Sequence, residues 1–250
     1  MTSDPEQESS ERLKTSVEGI ASSVLNDLVR EHDVNPASAP SIKESSFAGY
    51  SRQQMEEALA SMGLEVEDGL GPASVMTLPY EAGAGQIEQI LWLDVSNPYI
   101  KSLENFTDYN FERHQQGFLI VGEEVSHLLY KDQYYKRHGT EPPDWVVEMV
   151  GAMDKYNLLQ QMYVQRHGRV MNPQEEQRAR GMIFTALDSP PGAPPEHGIG
   201  HTYAYNMVNH LNRLVSTGRQ QEATNTFTHI YTADARAVMP TLLSASGYSK

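Results

Sequence analysis

Apolar residues recur at intervals of three and four along most of this chain, and that period predicts helices. Leu13, Val17, Ile20, Val24 and Leu28 form the first such face, on an amphipathic helix ending near Arg30. Ser51 opens a short second helix, with Gln54 three residues on as a capping box and Gly63 as a stop. Thr107 caps a long helix from Asp108 to about Arg137, whose core stripe is Phe111, Phe118, Val121, Val125 and Leu128. Pro142 and Pro143 precede a helix from Asp144 to about His167, with Gly168 as its terminator. Asn172 and Pro173 open another, to about Leu187. The prolines of DSPPGAPPEHGIGH forbid helix in the middle of that loop, and a fourth long helix is expected from about Thr202 to Thr217. One or two shorter helices finish the chain, broken at Pro240.

Two stretches follow a different rhythm. ASVMTLPY, from Ala73, and IEQILWLDV, from Ile87, read as an antiparallel strand pair joined by the loop EAGAGQ, with Pro79 at an edge. The first nine or so residues are polar and acidic and predict disorder. EHDVNPASAPSIKESSFAGY has no period and reads as a linker. The expected organisation is therefore an N-terminal helix with a flexible arm over residues 1–50, then one domain over 51–250. The fold class is predominantly helical α+β, a small strand pair packed on a helical bundle. The first helix would dock on the body, on a partner, or on a second copy as a homo-oligomer contact.

Composition narrows the function. The formal net charge is −14, which disfavours nucleic acid and anionic membrane as partners and leaves a small molecule or a peptide as substrate. The absence of cysteine removes disulfides, thiolate ligands and a cysteine nucleophile, and suits a cytoplasmic location. No apolar run reaches membrane-spanning length.

Candidate chemistry concentrates in FLIVGEEVSHLLY, Phe118 to Tyr130, where two carboxylates and a histidine interrupt an apolar helix. Charges in such a setting are costly unless paired. Glu123 and His127 are four apart and Glu124 and His127 three apart, so all three share one side of the helix. Glu148 is a further charge stranded in the apolar WVVEMVGAM. Either a divalent cation holds this group, or Lys131, Lys155, Arg113 or Arg166 neutralises it. With 19 Lys and Arg against 33 Asp and Glu, the chain is short of bases, which favours the cation.

The frame Glu-Glu-Val-Ser-His resembles the active-site helix of zincin metallopeptidases, which carries His-Glu-x-x-His. That resemblance puts Glu124 at the general base, His127 at the second metal ligand, and Glu123 where the first histidine belongs. Glu148 on the next helix would be the third ligand. A Glu in place of the first His weakens the preference for zinc, and oxygen-rich ligands shift it toward iron or manganese. Glu-x-x-His also fits one half of a di-iron or di-manganese helical bundle, whose second half is missing here. His197 and His201 are four apart in PPEHGIGH, but the two glycines between them argue against helical geometry. His201 would complete the site or bind substrate, and Tyr205, one turn on, would face it. His114 and His210 read as structural, and His32, His138, His167 and His229 as exposed or near helix ends. No Gly-rich phosphate loop and no Gly-x-Ser-x-Gly elbow is present. The expectation is a metal-dependent hydrolase. A non-haem iron or manganese oxygenase and a non-catalytic interaction protein stand as alternatives.

Overall fold

A computed structural model describes residues 5–42, 46–48, 50–61, 73–78, 88–184 and 195–232. Gly63, Pro79, the EAGAGQ loop, Leu187, most of the proline-rich loop and Pro240 lie outside these residues. The chain divides into two compact units, Met1–Leu129 and Tyr130–Lys250.

In the first unit, α1 spans Pro5–Glu31. It begins before the periodic stretch, within residues read from sequence as disordered. Proline suits the first helical turn, and Glu8 favours the positive end of the helix dipole. Leu13, Val17, Ile20, Ala21, Val24, Leu25, Leu28 and Val29 are all buried. The face rests on a 3-10 turn at Ser102–Asn105 and on β1, Ser46–Ala48. Ser16 Oγ donates to Leu103 O at 2.6 Å, and Arg12 and Ser9 both reach Glu104 at 3.2 Å. The body of the chain, of the three docking options, takes the apolar face. His32 lies at the end of α1, one of the two placements read from the sequence, and is buried.

The sheet has the order β1-β3-β2. β2 (Ala73–Leu78) and β3 (Glu88–Leu93) form the expected antiparallel pair. β1 adds a parallel strand, Phe47 opposite Trp92, inside the stretch read as linker. Three residues carry no detectable period, so only the partner strand defines them. Ile90, Leu91, Trp92 and Leu93 are buried without alternation, as befits a central strand covered on both faces. α2 (Arg52–Ser61) has its capping box: Ser51 N–H donates to Gln54 Oε1 at 2.8 Å and Gln54 N–H to Ser51 Oγ at 3.3 Å. α3 is a single turn, Pro98–Lys101, capped by Asn97.

α4 spans Phe111–His138, after a 3-10 turn at Asp108–Asn110 that Thr107 caps. Every residue of its expected stripe is buried. A Cβ on Gly117 would lie 2.3 Å from Tyr99 O, so α3 and α4 touch through a glycine. Phe106 stacks on Phe118 at 5.4 Å and meets the buried His114 edge-on at 6.5 Å.

The second unit takes α4 from Tyr130 onward. α5 spans Asp144–His167 and ends on Gly168 in the left-handed conformation, φ +64°, which a side chain resists. α6 is Pro173–Phe184, capped by Asn172, whose Oδ1 accepts from Gln174 N–H at 2.9 Å and Glu175 N–H at 3.0 Å. α7 is Pro195–Ser216 and α8 Gln220–Thr232. α7 starts two turns before the expected Thr202, so His197 and His201 do lie one helical turn apart. Neither glycine between them breaks the helix, and Gly200 is there for packing. A Cβ on Gly200 would meet Glu148 Cβ at 2.4 Å and Trp145 O at 2.8 Å. α7 thus reaches the backbone of α5, and Trp145 and Tyr203 pack at 5.3 Å beside the crossing. Among the described residues, no helix is long and apolar enough to cross a membrane.

Candidate metal centre

Glu123 and His127 stand one turn apart on α4, at 8% and 6% exposure. Their burial follows from the helix that carries them: Val121, Val125, Leu128 and Leu129 are all buried. From Val121 to Tyr130 every position is buried except Glu124, which is partly exposed. Glu148 on α5 is half-buried. One ligand atom from each of Glu123, His127 and Glu148 lies within 4.8 Å of the other two. The three residues that the sequence analysis proposed as metal ligands are therefore brought together, and they can coordinate a divalent metal.

The donor set suits the task. Two carboxylates and an imidazole are the side chains that first-row metals and zinc accept. Donors at the usual ~2.1 Å from a zinc ion stand roughly 3.4 Å apart in a tetrahedron. The separations here, all within 4.8 Å, are of the same order.

Glu124 sits beside this group. Its Oε2 lies 3.3 Å from His127 Nδ1. An ionised carboxylate can only accept, so Nδ1 carries the hydrogen and Nε2 holds the lone pair of the neutral ring. Metal-binding histidines commonly have such a carboxylate behind them, which fixes tautomer and ring orientation.

His201 is buried at 3% exposure, and its Nδ1 donates to Ile183 O at 2.9 Å. A carbonyl accepts only, so this imidazole too has its lone pair on Nε2. It follows Gly200, the residue packed against Glu148, but does not belong to the three-residue group. Tyr205 is 43% exposed and packs on Phe184, ring centroids 6.0 Å apart. The side chains of His197 and His229 are outside the description. His138 and His167 sit at helix ends, their rings tilted against Tyr134 at 4.3 Å and Tyr163 at 4.2 Å.

Of the basic side chains considered as neutralising partners, Arg113 and Arg166 are exposed, Lys131 is partly buried, and Lys155 is buried at 5% exposure. Asp154, next to it, is fully buried.

Sequence reasoning missed a second polar cluster. Glu176 and Arg180, one turn apart on α6, form an ion pair, Arg180 also bonds Asn209, and its guanidinium lies 5.7 Å over the Tyr156 ring. Tyr156 hydroxyl donates to Glu176 Oε1 at 3.2 Å. Burial pushes the Tyr156 hydroxyl pKa up. Burial works against the Arg180 charge, but the hydrogen bonds to Tyr156 and Glu176 prevail and raise its pKa. The Glu-x-x-x-Arg spacing was legible, but nothing in the sequence placed Tyr156 beneath it.

The chain matches no family model, no curated protein and no solved structure. The likeness to zincins rests on one helix, with no family relationship to support it.

Proposed function

We propose that this protein is a metal-dependent enzyme, most simply a hydrolase acting on a small molecule or peptide. Glu123, His127 and Glu148 are its metal ligands. The supporting observation is the single one that three ligand atoms converge within 4.8 Å on buried and half-buried side chains. A divalent cation bound there would polarise a substrate carbonyl and make water a better nucleophile near neutral pH. The chain's own contribution is to fix His127 through Glu124 and to exclude bulk water with the apolar walls of α4. In this reading Glu124 orients a ligand. As a general base, the role its place in the zincin frame suggests, it would instead accept a proton from the attacking water. His201 is an additional ligand or substrate contact.

Two carboxylates to one imidazole also favour iron or manganese. An oxygenase on the same residues is the second reading, and an absorbance band after aerobic iron loading is what it requires. In the third reading, a non-catalytic protein, Lys155 or Lys131 neutralises the acids.

Elemental analysis of protein purified without an affinity tag tests the proposal. About one equivalent of zinc, iron or manganese per chain is expected, with His127→Ala and Glu148→Gln each depleted. A chelator should lower Tm, because an ion bound only to the native state stabilises it by about 2.7 kcal/mol at one hundred times its Kd. Metal-free protein that takes up none of the three metals, with Tm unmoved by chelator, would refute it.

A further inference from the structure

A cleft of about 600 Å³ lies along α6, lined by Glu176, Gln177, Arg180, Gly181 and Phe184, with Tyr205 of α7 beside them. The α6 residues are spaced at three and four, so they form one continuous face of that helix. None of the metal-centre residues lines the cleft. Its size falls in the range of small-molecule sites, roughly 300–1,000 Å³.

The lining has two parts. Phe184 and Tyr205 make an aromatic wall, their rings inclined at 63°. Phe184 is backed by Tyr156 at 5.4 Å, which fixes its ring. Gly181 leaves space between wall and helix: a Cβ there would meet nothing within 4 Å. The second part is polar but carries no net charge. Arg180 donates from Nε and Nη2 to Glu176 Oε1 and from Nη1 to Asn209 Oδ1, so cation and anion cancel within the cleft. Guanidinium has five N–H groups, a carboxylate has two oxygens, and the Gln177 amide both donates and accepts. These three bonds and the one from the Tyr156 hydroxyl to Glu176 use only part of that capacity.

This chemistry selects a ligand class. An anion or a cation meets no opposite net charge, because the Arg180–Glu176 pair is already balanced. A wholly apolar molecule would strip water from the polar groups and return no hydrogen bonds, a cost of roughly 1–3 kcal/mol per group. A flat ring stacks on the aromatic wall, and mixed donors and acceptors on its edge match the mixed polar side. We infer that the α6 cleft binds an uncharged planar heteroaromatic molecule with hydrogen-bond donors and acceptors on its edge, at a site separate from the metal centre.

The test uses the full chain and three probes of similar size: adenine, benzoate and benzamidine, each titrated by calorimetry. Adenine should bind at least ~10-fold tighter than the anionic and cationic rings. Gly181→Leu fills the cleft from an open position and Tyr205→Ala removes the exposed wall. Each should weaken adenine at least ~10-fold while leaving metal content unchanged and the chain folded by circular dichroism. Benzoate or benzamidine matching adenine would overturn the inference. So would adenine binding that survives both variants, or no binding by any probe.

Discussion

Glu123 and Glu176 each have a basic side chain one turn further along their helix. For Glu176 it is Arg180, a permanent cation, and the chain closes the account itself: carboxylate, guanidinium and Tyr156 hydroxyl form one hydrogen-bonded unit. For Glu123 it is His127, whose neutral ring offers a lone pair and no charge. Adding Glu148 brings a third Lewis base to the same place. The two sites use the same helical spacing and differ in one residue type. A guanidinium completes a pair as a permanent cation, whereas a neutral imidazole adds a donor atom without charge. Spacing alone therefore says that two side chains meet. The identity of the second decides whether the pair carries a permanent cation of its own.

Gly200→Ala should break the contrast most strongly. Its methyl group would press on Glu148 Cβ and on backbone atoms of α5 at Trp145 and Met149, none of which can swing aside. Overpacking of this kind costs about 1–3 kcal/mol, more than the helix-propensity gain of about 1 kcal/mol from replacing glycine. Urea unfolding should show the loss, and elemental analysis a lowered metal content, although no ligand has been altered.

Glu124→Gln sharpens the left-hand side of the comparison. It keeps the shape but removes the charge behind His127. If Glu124 orients the ligand, metal affinity should fall on the order of 10–100-fold. Were it a general base only, competition with a metal indicator would give unchanged affinity.

Arg180→Met perturbs the other cluster. It leaves Glu176 and Tyr156 without their cation at a site where Arg180 is 17% exposed and Glu176 34%. A loss of about 1 kcal/mol in urea is expected. The same loss should be measured with and without chelator, and metal content should not change.

The smallest effect concerns His210, a histidine facing bases where His127 faces acids. Burial, with help from Arg213 and Arg219 and against Glu222, lowers its pKa from the usual 6.5. The unfolded chain then binds more protons than the folded one as pH falls below 6.5. Stability is lost over that window and levels off once the folded state also titrates. His210→Asn should shrink the difference between urea midpoints at about pH 7.5 and about pH 5.5.

The apolar period marked α1 and α4, because a helix face is written in residues only three and four apart, and cap, proline and glycine signals marked α2, α5 and α6. Capping at Ser51, Thr107 and Asn172 was legible for the same reason. The shared side of α4 carrying Glu123, Glu124 and His127 is equally local. Glu148 as the third member was an expectation until α5 brought it within 4.8 Å. β1 was invisible, since three residues become a strand only when Trp92 and its neighbours pair with them. The start of α7 was misplaced because glycine reads locally as flexible, while at Gly200 it answers to the surface of α5. Local pattern fixes what backbone hydrogen bonds and side-chain spacing decide within a few residues. Tertiary structure decided which faces meet, because burial and close approach depend on atoms far away in the chain.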